Sequence, residues 1–290
     1  MIFIDIFITG VINGSTYALL AIGFSIIFGA ARIINLAHTA FYMVAAYCIY
    51  FFTSNLGFNP VWGMIIAIIL VFLLGILIYQ LLLRPIREHD AAVMIATIAM
   101  AMAMEELMSH FFSGSFLSVP YLIKGFATIF GTKIFYQQIL TFCAALIVLI
   151  ILWILMMKTR LGLAIRSTAQ DREVTNLMGI NESRIAMWTM GISVGLAAFT
   201  GAIIVPLTVI DPHMWTPPLI MVMAVVVLGG LGSLKGSFIG AYILGFAEAL
   251  VVFLVPAGAF LKGSVALSIM ILVLIIRPEG LFGVTFEEER

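Results

Sequence analysis

Residues 60–83 contain no charged side chain, and neither do residues 135–157. Uninterrupted apolar runs of roughly 18 or more residues mark helices that cross a bilayer. In lipid the backbone must satisfy its own hydrogen bonds, which leaves only helices and closed barrels. Segments that alternate apolar and polar residues with a period of two are absent, so a barrel is a poor fit. The composition agrees, with 63% hydrophobic and only 10% charged residues, where a soluble domain carries about 25% charged residues. The chain is therefore expected to be all-α, a polytopic transmembrane bundle forming a single domain over residues 1–290.

The candidate spans are 4–29, 36–54, 60–83, 91–112, 135–157, 185–209, 218–233, 237–256 and 263–277, giving a count of eight or nine. The first contains Asp5, with no basic stretch before it and no small-residue cleavage site after it, so it reads as a retained span rather than a signal peptide. The seventh is short. From Pro218 to Leu228 an apolar helix reaches only about 16 Å, against a hydrocarbon core of about 30 Å. It reads as a half-helix broken at Gly229-Gly230-Leu231-Gly232. The segments LAHTAFYMVAAY and LKGSFIGAYILGF each follow a glycine-bearing span and a tight turn, which suggests an internal repeat of the kind transporters contain. Cys48 and Cys143 sit in apolar runs without metal-like spacing and read as buried thiols.

Lysine and arginine set the orientation of such a chain. With nine spans, one set of connections holds Arg32, Arg84, Arg87, Lys158, Arg160, Arg166, Arg172, Arg184, Lys235, Arg277 and Arg290. The other holds only Lys124, Lys133 and Lys262. The first set is assigned to the cytoplasm, with the N-terminus outside and the C-terminus inside. The chain has 14 basic and 14 acidic residues, and this balance gives no sign of a nucleic-acid surface.

Eight of those charged residues fall in one polar island, KTRLGLAIRSTAQDREVTNLMGINESR, from Lys158 to Arg184. Ser167 followed by Gln170 fits a capping box. Gly179 suits the left-handed residue that ends a helix, with Ile180 covering the last turn. Val174, Leu177 and Met178 form a narrow apolar stripe between these signals. About eleven residues give a marginal helix in water, so this one is expected to pack against something. Two readings stay open: an amphipathic helix at the membrane interface, or a helix presented to a cytoplasmic partner.

Four segments in order resemble one family. The island pattern of Ala169, Asp171, Asn176 to Asn181 and Arg184 looks like the cytoplasmic coupling loop of branched-chain amino-acid ABC-importer permeases, the LivH-like subunits. GVINGSTYALLAIGFSIIFGAARIINLAH (Gly10–His38) is similar to the family's opening span and its N-[FL]-A-H turn. VVLGGLGSLKGSFIGAYILGFAEAL (Val226–Leu250) is similar to its glycine-rich break, and RPEGLFG (Arg277–Gly283) to its terminal motif. Thr39-Ala40 stands where the family usually has Gly followed by an acid. Urea and short-chain amide importers use similar permeases, so this departure bears on the solute.

The resemblance implies a subunit of the bacterial inner membrane that forms a heterodimer with a homologous permease. Two cytoplasmic ATPase subunits would drive it, and an external solute-binding protein would deliver the solute. It further implies that Ala169, Asp171, Arg172 and the turn of Met178, Gly179, Ile180 and Asn181 dock onto the ATPase. No cofactor is expected on this chain itself. The run GGLGSLKGS lacks the Gly-Lys-[Ser/Thr] order of a phosphate loop because Leu234 precedes Lys235, and the chain is not expected to be an enzyme.

Candidate pathway residues are Asn13, Ser15, Thr16 and Tyr17 in the first span, Asn35 and His38 at its turn, Gly229, Gly230 and Gly232 at the break, and Glu248. Small and polar residues also join helices to one another, so each has a structural reading beside the functional one. Glu105, Glu106, His110 and Glu248 lie in or near spans, where charge is costly and often functional. A proton-coupled secondary transporter is the competing class. An intramembrane protease finds little support, since His38, His89, His110 and His213 are scattered and no His-Glu-x-x-His motif occurs.

Overall fold

The computed structural model describes residues 2–129 and 132–283. Its helices are α1 (Ile2–Ala31), α2 (His38–Tyr50), α3 (Pro60–Ile78), α4 (Asp90–Phe112), α5 (Tyr136–Lys158), α6 (Arg160–Gln170), α7 (Arg172–Leu177), α8 (Glu182–Ile204), α9 (Thr216–Gly229), α10 (Leu234–Leu254) and α11 (Lys262–Ile276). Seven, some counted with the π or 3-10 turns that adjoin them, are long and apolar enough to cross a membrane. All nine expected spans appear as helices, but two of them are short. The seventh, α9, has 14 residues as its sequence suggested. The second, α2, has only 13 and continues through one π-helical turn to Asn55.

The short helices survive because they are enclosed. His38 to Ala46 of α2 are all buried, as are Val222 and Ala224 to Val226 of α9. Gly229 and Gly230 at the end of α9 are buried, and irregular backbone is tolerated in a membrane where protein surrounds it, whereas the π turn that ends α2 has no buried residue. The centre of the bundle is formed by α1 and α8. α1 packs on α10, α8, α9 and α5, and α8 packs on α2 and α3. α3, α5 and α11 turn large apolar side chains outward, among them Leu73, Ile147, Ile151, Leu272 and Ile275, as lipid-facing surfaces do. Cys143 is exposed on α5 and Cys48 is half-buried, so neither is the fully buried thiol expected.

The links between helices meet at two ends. At one, Arg87 between α3 and α4 forms an ion pair with Glu182 at the start of α8. The amides of Leu281 and Phe282 donate to the carbonyls of Leu228 and Gly229 at the end of α9, at 2.8 and 3.0 Å. At the other end, Leu117 and Ile210 exchange backbone hydrogen bonds of 3.0 and 2.8 Å. An antiparallel hairpin, β1 (Phe126–Ile129) and β2 (Thr132–Phe135), lies in the α4–α5 link. The all-α reading had no place for it. Arg290, counted above with the inner cations, lies outside the described residues.

The two pairs of helices suggested as a repeat differ in their lengths. The first pair runs from a long helix to a short one, and the second from short α9 to long α10.

Candidate functional site

The polar island is two helices. Thr159 closes α5 and opens α6: its hydroxyl donates to the carbonyl of Leu155 at 2.6 Å and accepts from the amide of Gly162 at 3.1 Å. Asp171 repeats the device, its amide donating to Ser167 O and its carboxylate accepting from the Val174 amide at 3.0 Å. Asn181 then caps α8 by accepting from the Arg184 amide. Side-chain oxygens at such positions satisfy amides that a helix start leaves orphaned. The expected capping box at Ser167 is corrected, because Ser167 lies within α6 and its hydroxyl donates to Leu163 O and Ala164 O. The end of the island is as expected. Gly179 has a φ of 83°, its amide donates to Asn176 O, and the Ile180 amide donates to Thr175 O, which is the Schellman arrangement.

The two helices treat their apolar residues differently. α6 buries Gly162, Ile165 and Thr168 against the bundle. α7 buries only Thr175, while Val174, Leu177 and Met178 are 53%, 86% and 78% exposed. The apolar stripe was expected to pack, and within this chain it does not. Ala169 and Asp171 are exposed at the corner between the helices, and Met178, Gly179 and Asn181 are exposed after α7, with Ile180 half-buried.

Beneath this surface, Arg172 is half-buried beside Glu182, Arg32, Arg87 and Tyr79. Burial lowers its pKa, the neighbouring Arg32 and Arg87 lower it further, and Glu182 works the other way. Arginine stays protonated through such shifts, so the cost appears as charge held in a cationic setting. Burial also opposes the Arg87 charge, but its pairing with Glu182 raises the Arg87 pKa overall. One buried guanidinium nitrogen of Arg172 has no hydrogen-bond partner among the described residues. A cavity of about 420 Å³ opens alongside, lined by Arg32, Asp90, Ala169, Gln170, Ser233 and Phe282 among others.

The candidate pathway residues fall into three clusters. In the first, the Tyr17 hydroxyl donates to Glu248 at 2.6 Å, Lys262 pairs with the other Glu248 oxygen at 2.8 Å, and the Ser15 and Tyr242 hydroxyls lie 2.8 Å apart. This cluster ties α1, α10 and α11 together. Thr16 turns back on Ile12 O, and Asn13 is half-buried on α1. In the second, Asn35 accepts from the Ala37 amide and the Leu36 amide donates to Thr97 Oγ1. His38 Nε2 lies 3.0 Å from Leu20 O and its Nδ1 lies 3.2 Å from the Ser193 hydroxyl. A carbonyl can only accept, so Nε2 carries a proton. His38 thus joins α1, α2 and α8, and Thr39, where the departure from the family pattern begins, is fully buried beside it.

The third cluster is the glycine turn. A Cβ on Gly236 would lie 1.9 Å from Gly229 O, and one on Gly230 would lie 2.4 Å from Gly283 N. Gly230 has a φ of 98°. The returning RPEGLFG segment therefore satisfies carbonyls at the end of α9 that the helix cannot. Tyr242, Lys262 and Ser193 were missed as members of these clusters. Each is a polar residue in an apolar run or at its edge, and its partner is remote in sequence. Glu105, on α4, accepts from the Trp215 indole and pairs with His213 at 2.7 Å, while Glu106 is exposed.

This arrangement, with a capped helix pair outside the bundle and a glycine-broken span within it, has known relatives. Residues 6–276 match the family described as the permease component of branched-chain amino acid transport systems. The chain belongs to that family. It is 32% identical to the high-affinity branched-chain amino acid transport system permease protein BraD of Pseudomonas aeruginosa, covering 95% of this chain and 94% of that one. It is 30% identical to the corresponding protein LivH of Escherichia coli strain K12, covering 97% and 96%. Among solved structures, PsaBC from Streptococcus pneumoniae in complex with Fab superposes over 93% of this chain and 91% of that one, with a TM-score of 0.54 and 15% identity. That likeness is one of fold alone. The chain is a multi-pass membrane permease component, and the relatives it matches are transport proteins.

Proposed function

We propose that this permease component imports branched-chain amino acids across the cytoplasmic membrane, driven by ATP hydrolysed on two separate subunits that engage α6 and α7. It works beside a second, homologous permease and receives its solute from an external binding protein. The chain binds no cofactor of its own. The end carrying α6, α7 and the arginines faces the cytoplasm, with the N-terminus outside and the C-terminus inside. The observation that carries this reading is the exposure of Leu177 and Met178 on a helix whose caps and buried Thr175 hold it in place. Apolar side chains displayed together on an aqueous surface mark an interaction site. Of the carboxylates that favour a proton-coupled carrier, Glu248 pairs with Lys262, Glu105 accepts from the Trp215 indole, and Glu106 is exposed.

The test uses the assembled complex in vesicles. Leucine uptake should persist when the proton gradient is collapsed and stop without ATP. In the double variant Leu177→Asp/Met178→Asp, uptake should fall by about tenfold or more, since losing two apolar anchors of an interface costs on the order of 2 kcal/mol or more, while membrane insertion is kept. Unchanged ATP-driven uptake in that variant would sink the docking assignment, and transport of urea in place of leucine would sink the cargo.

A further inference from the structure

A second concavity lies on the flank of the bundle, away from the clusters above. α5 and α10 each pack on α1, and a groove of about 540 Å³ lies between them with Ile22 of α1 at its base. Its wall on α5 is Leu146, Leu149, Ile150, Leu152, Trp153, Met156 and Met157, and its wall on α10 includes Phe238 and Ile239. Leu146 to Met157 extend about 16 Å along the helix, which is the depth of one leaflet of a core about 30 Å thick. Among the described residues Lys235 is the one charged side chain lining the groove, and it lies at the end where α5 finishes. There Lys158 directly follows the lining residue Met157, and Lys158 and Lys235 are both exposed.

We propose that this groove binds an anionic phospholipid, one acyl chain lying along the α5 wall and the headgroup phosphate held by Lys235 and Lys158. The occupant follows from the chemistry of the two parts. An apolar slot one leaflet deep, open to the bilayer, suits an acyl chain. A lysine pair at headgroup level, with no carboxylate lining the groove among the described residues, selects negative over zwitterionic lipid, as basic pockets between membrane helices do. Phe282 lines both this groove and the cavity beside the coupling loop, and its amide holds Gly229 O. A bound lipid therefore buttresses the segment that closes α9. The proposal needs the helices to span a membrane and is independent of the cargo.

Trp153 supplies the probe. The full complex, stripped of lipid, is placed in phosphatidylcholine vesicles and given phosphatidylglycerol or phosphatidylcholine brominated in the acyl chain. The signal of Trp153 is isolated by subtracting the Trp153→Phe variant. The expected result is a preference of roughly tenfold for the brominated phosphatidylglycerol, from about fivefold for each lysine near the surface at most. Lys235→Gln with Lys158→Gln should abolish the preference while leaving quenching by both lipids. Ile239→Trp, which fills the slot, should reduce quenching by both. Equal quenching by the two lipids in the unmodified protein, or a preference that survives the double lysine variant, would overturn the proposal. So would efficient disulfide formation between Ile150→Cys and the second permease, since a protein would then occupy the groove.

Discussion

α6 and α7 are consecutive, short and cut from the same polar island, yet the bundle holds one and releases the other. α6 begins on the last turn of α5, where Gly162 lies so close to the chain that a Cβ would be 2.2 Å from Leu155 O and 2.5 Å from Met156 O. Ile165 and Thr168 continue that buried side. α7 has six residues and one buried side chain. Isolated helices of that length are not stable in water, so α7 depends on Asp171 before it, the Schellman turn after it, and its attachment to α6 and α8. The difference separates a mounting from a contact. α6 transmits position because it is packed against the membrane helices, and α7 can meet a partner because its apolar residues are unused.

The sharpest way to break this contrast is at Gly162. The obstacle is backbone carbonyl, which cannot rotate aside, so Gly162→Ala must open the α5–α6 corner. Overpacking of this kind costs about 1–3 kcal/mol and sometimes more. ATP-driven uptake should be lost almost completely, and the solubilised protein should unfold at a distinctly lower temperature. Normal thermal stability in this variant would show that α6 is not mounted as described.

Leu177→Ala should have the next largest effect and the opposite signature. At 86% exposure the side chain stabilises nothing within this chain, so the unfolding temperature should not move. Retention of the ATPase subunits on purification should fall several-fold, in line with loss of an apolar interface contact of about 1 kcal/mol. If stability falls instead, α7 is packed rather than presented.

Asp171→Ala removes a cap worth about 1 kcal/mol and should weaken uptake by up to about fivefold. Asp171→Asn keeps an oxygen able to accept from the Val174 amide, so it should retain most of the activity. A loss with Asn equal to that with Ala would mean that the carboxylate charge, rather than the cap, is what the partner meets.

The bundle itself was legible because apolar runs report on lipid directly. Runs such as 60–83 and 135–157 needed no knowledge of their neighbours. What escaped was decided by partners distant in sequence. α2 is enclosed by α8, α3, α4 and α9, and nothing in its own composition distinguishes a buried 13-residue helix from a span. Glu248 with Lys262 and Tyr17, and His38 with Ser193 and Leu20 O, are pairings across the bundle that no local pattern announces. The terminal RPEGLFG was visible as a motif, but its task of closing α9 depends on contacts some fifty residues back in the chain. The island was read correctly at its glycine end, where a backbone requirement picks out one residue type, and wrongly at its start, where several residues could serve as a cap.

That wrong start yields the smallest effect and a clean discrimination. If Ser167 opened a helix, Ser167→Ala would cost about 1 kcal/mol, as the loss of an N-cap does. In the structure its hydroxyl donates to Leu163 O and Ala164 O from within α6, and those carbonyls are also in reach of the helix's own amides. A serine bonded back in this way adds little, and alanine has the higher helix propensity. Ser167→Ala should therefore leave unfolding temperature and uptake unchanged, within about 0.5 kcal/mol. Thr159→Ala should be costly, because Thr159 serves both helices at the corner. The reverse ranking of these two variants would restore a single helix starting at Ser167, and with it a loop in which mounting and contact are not separate.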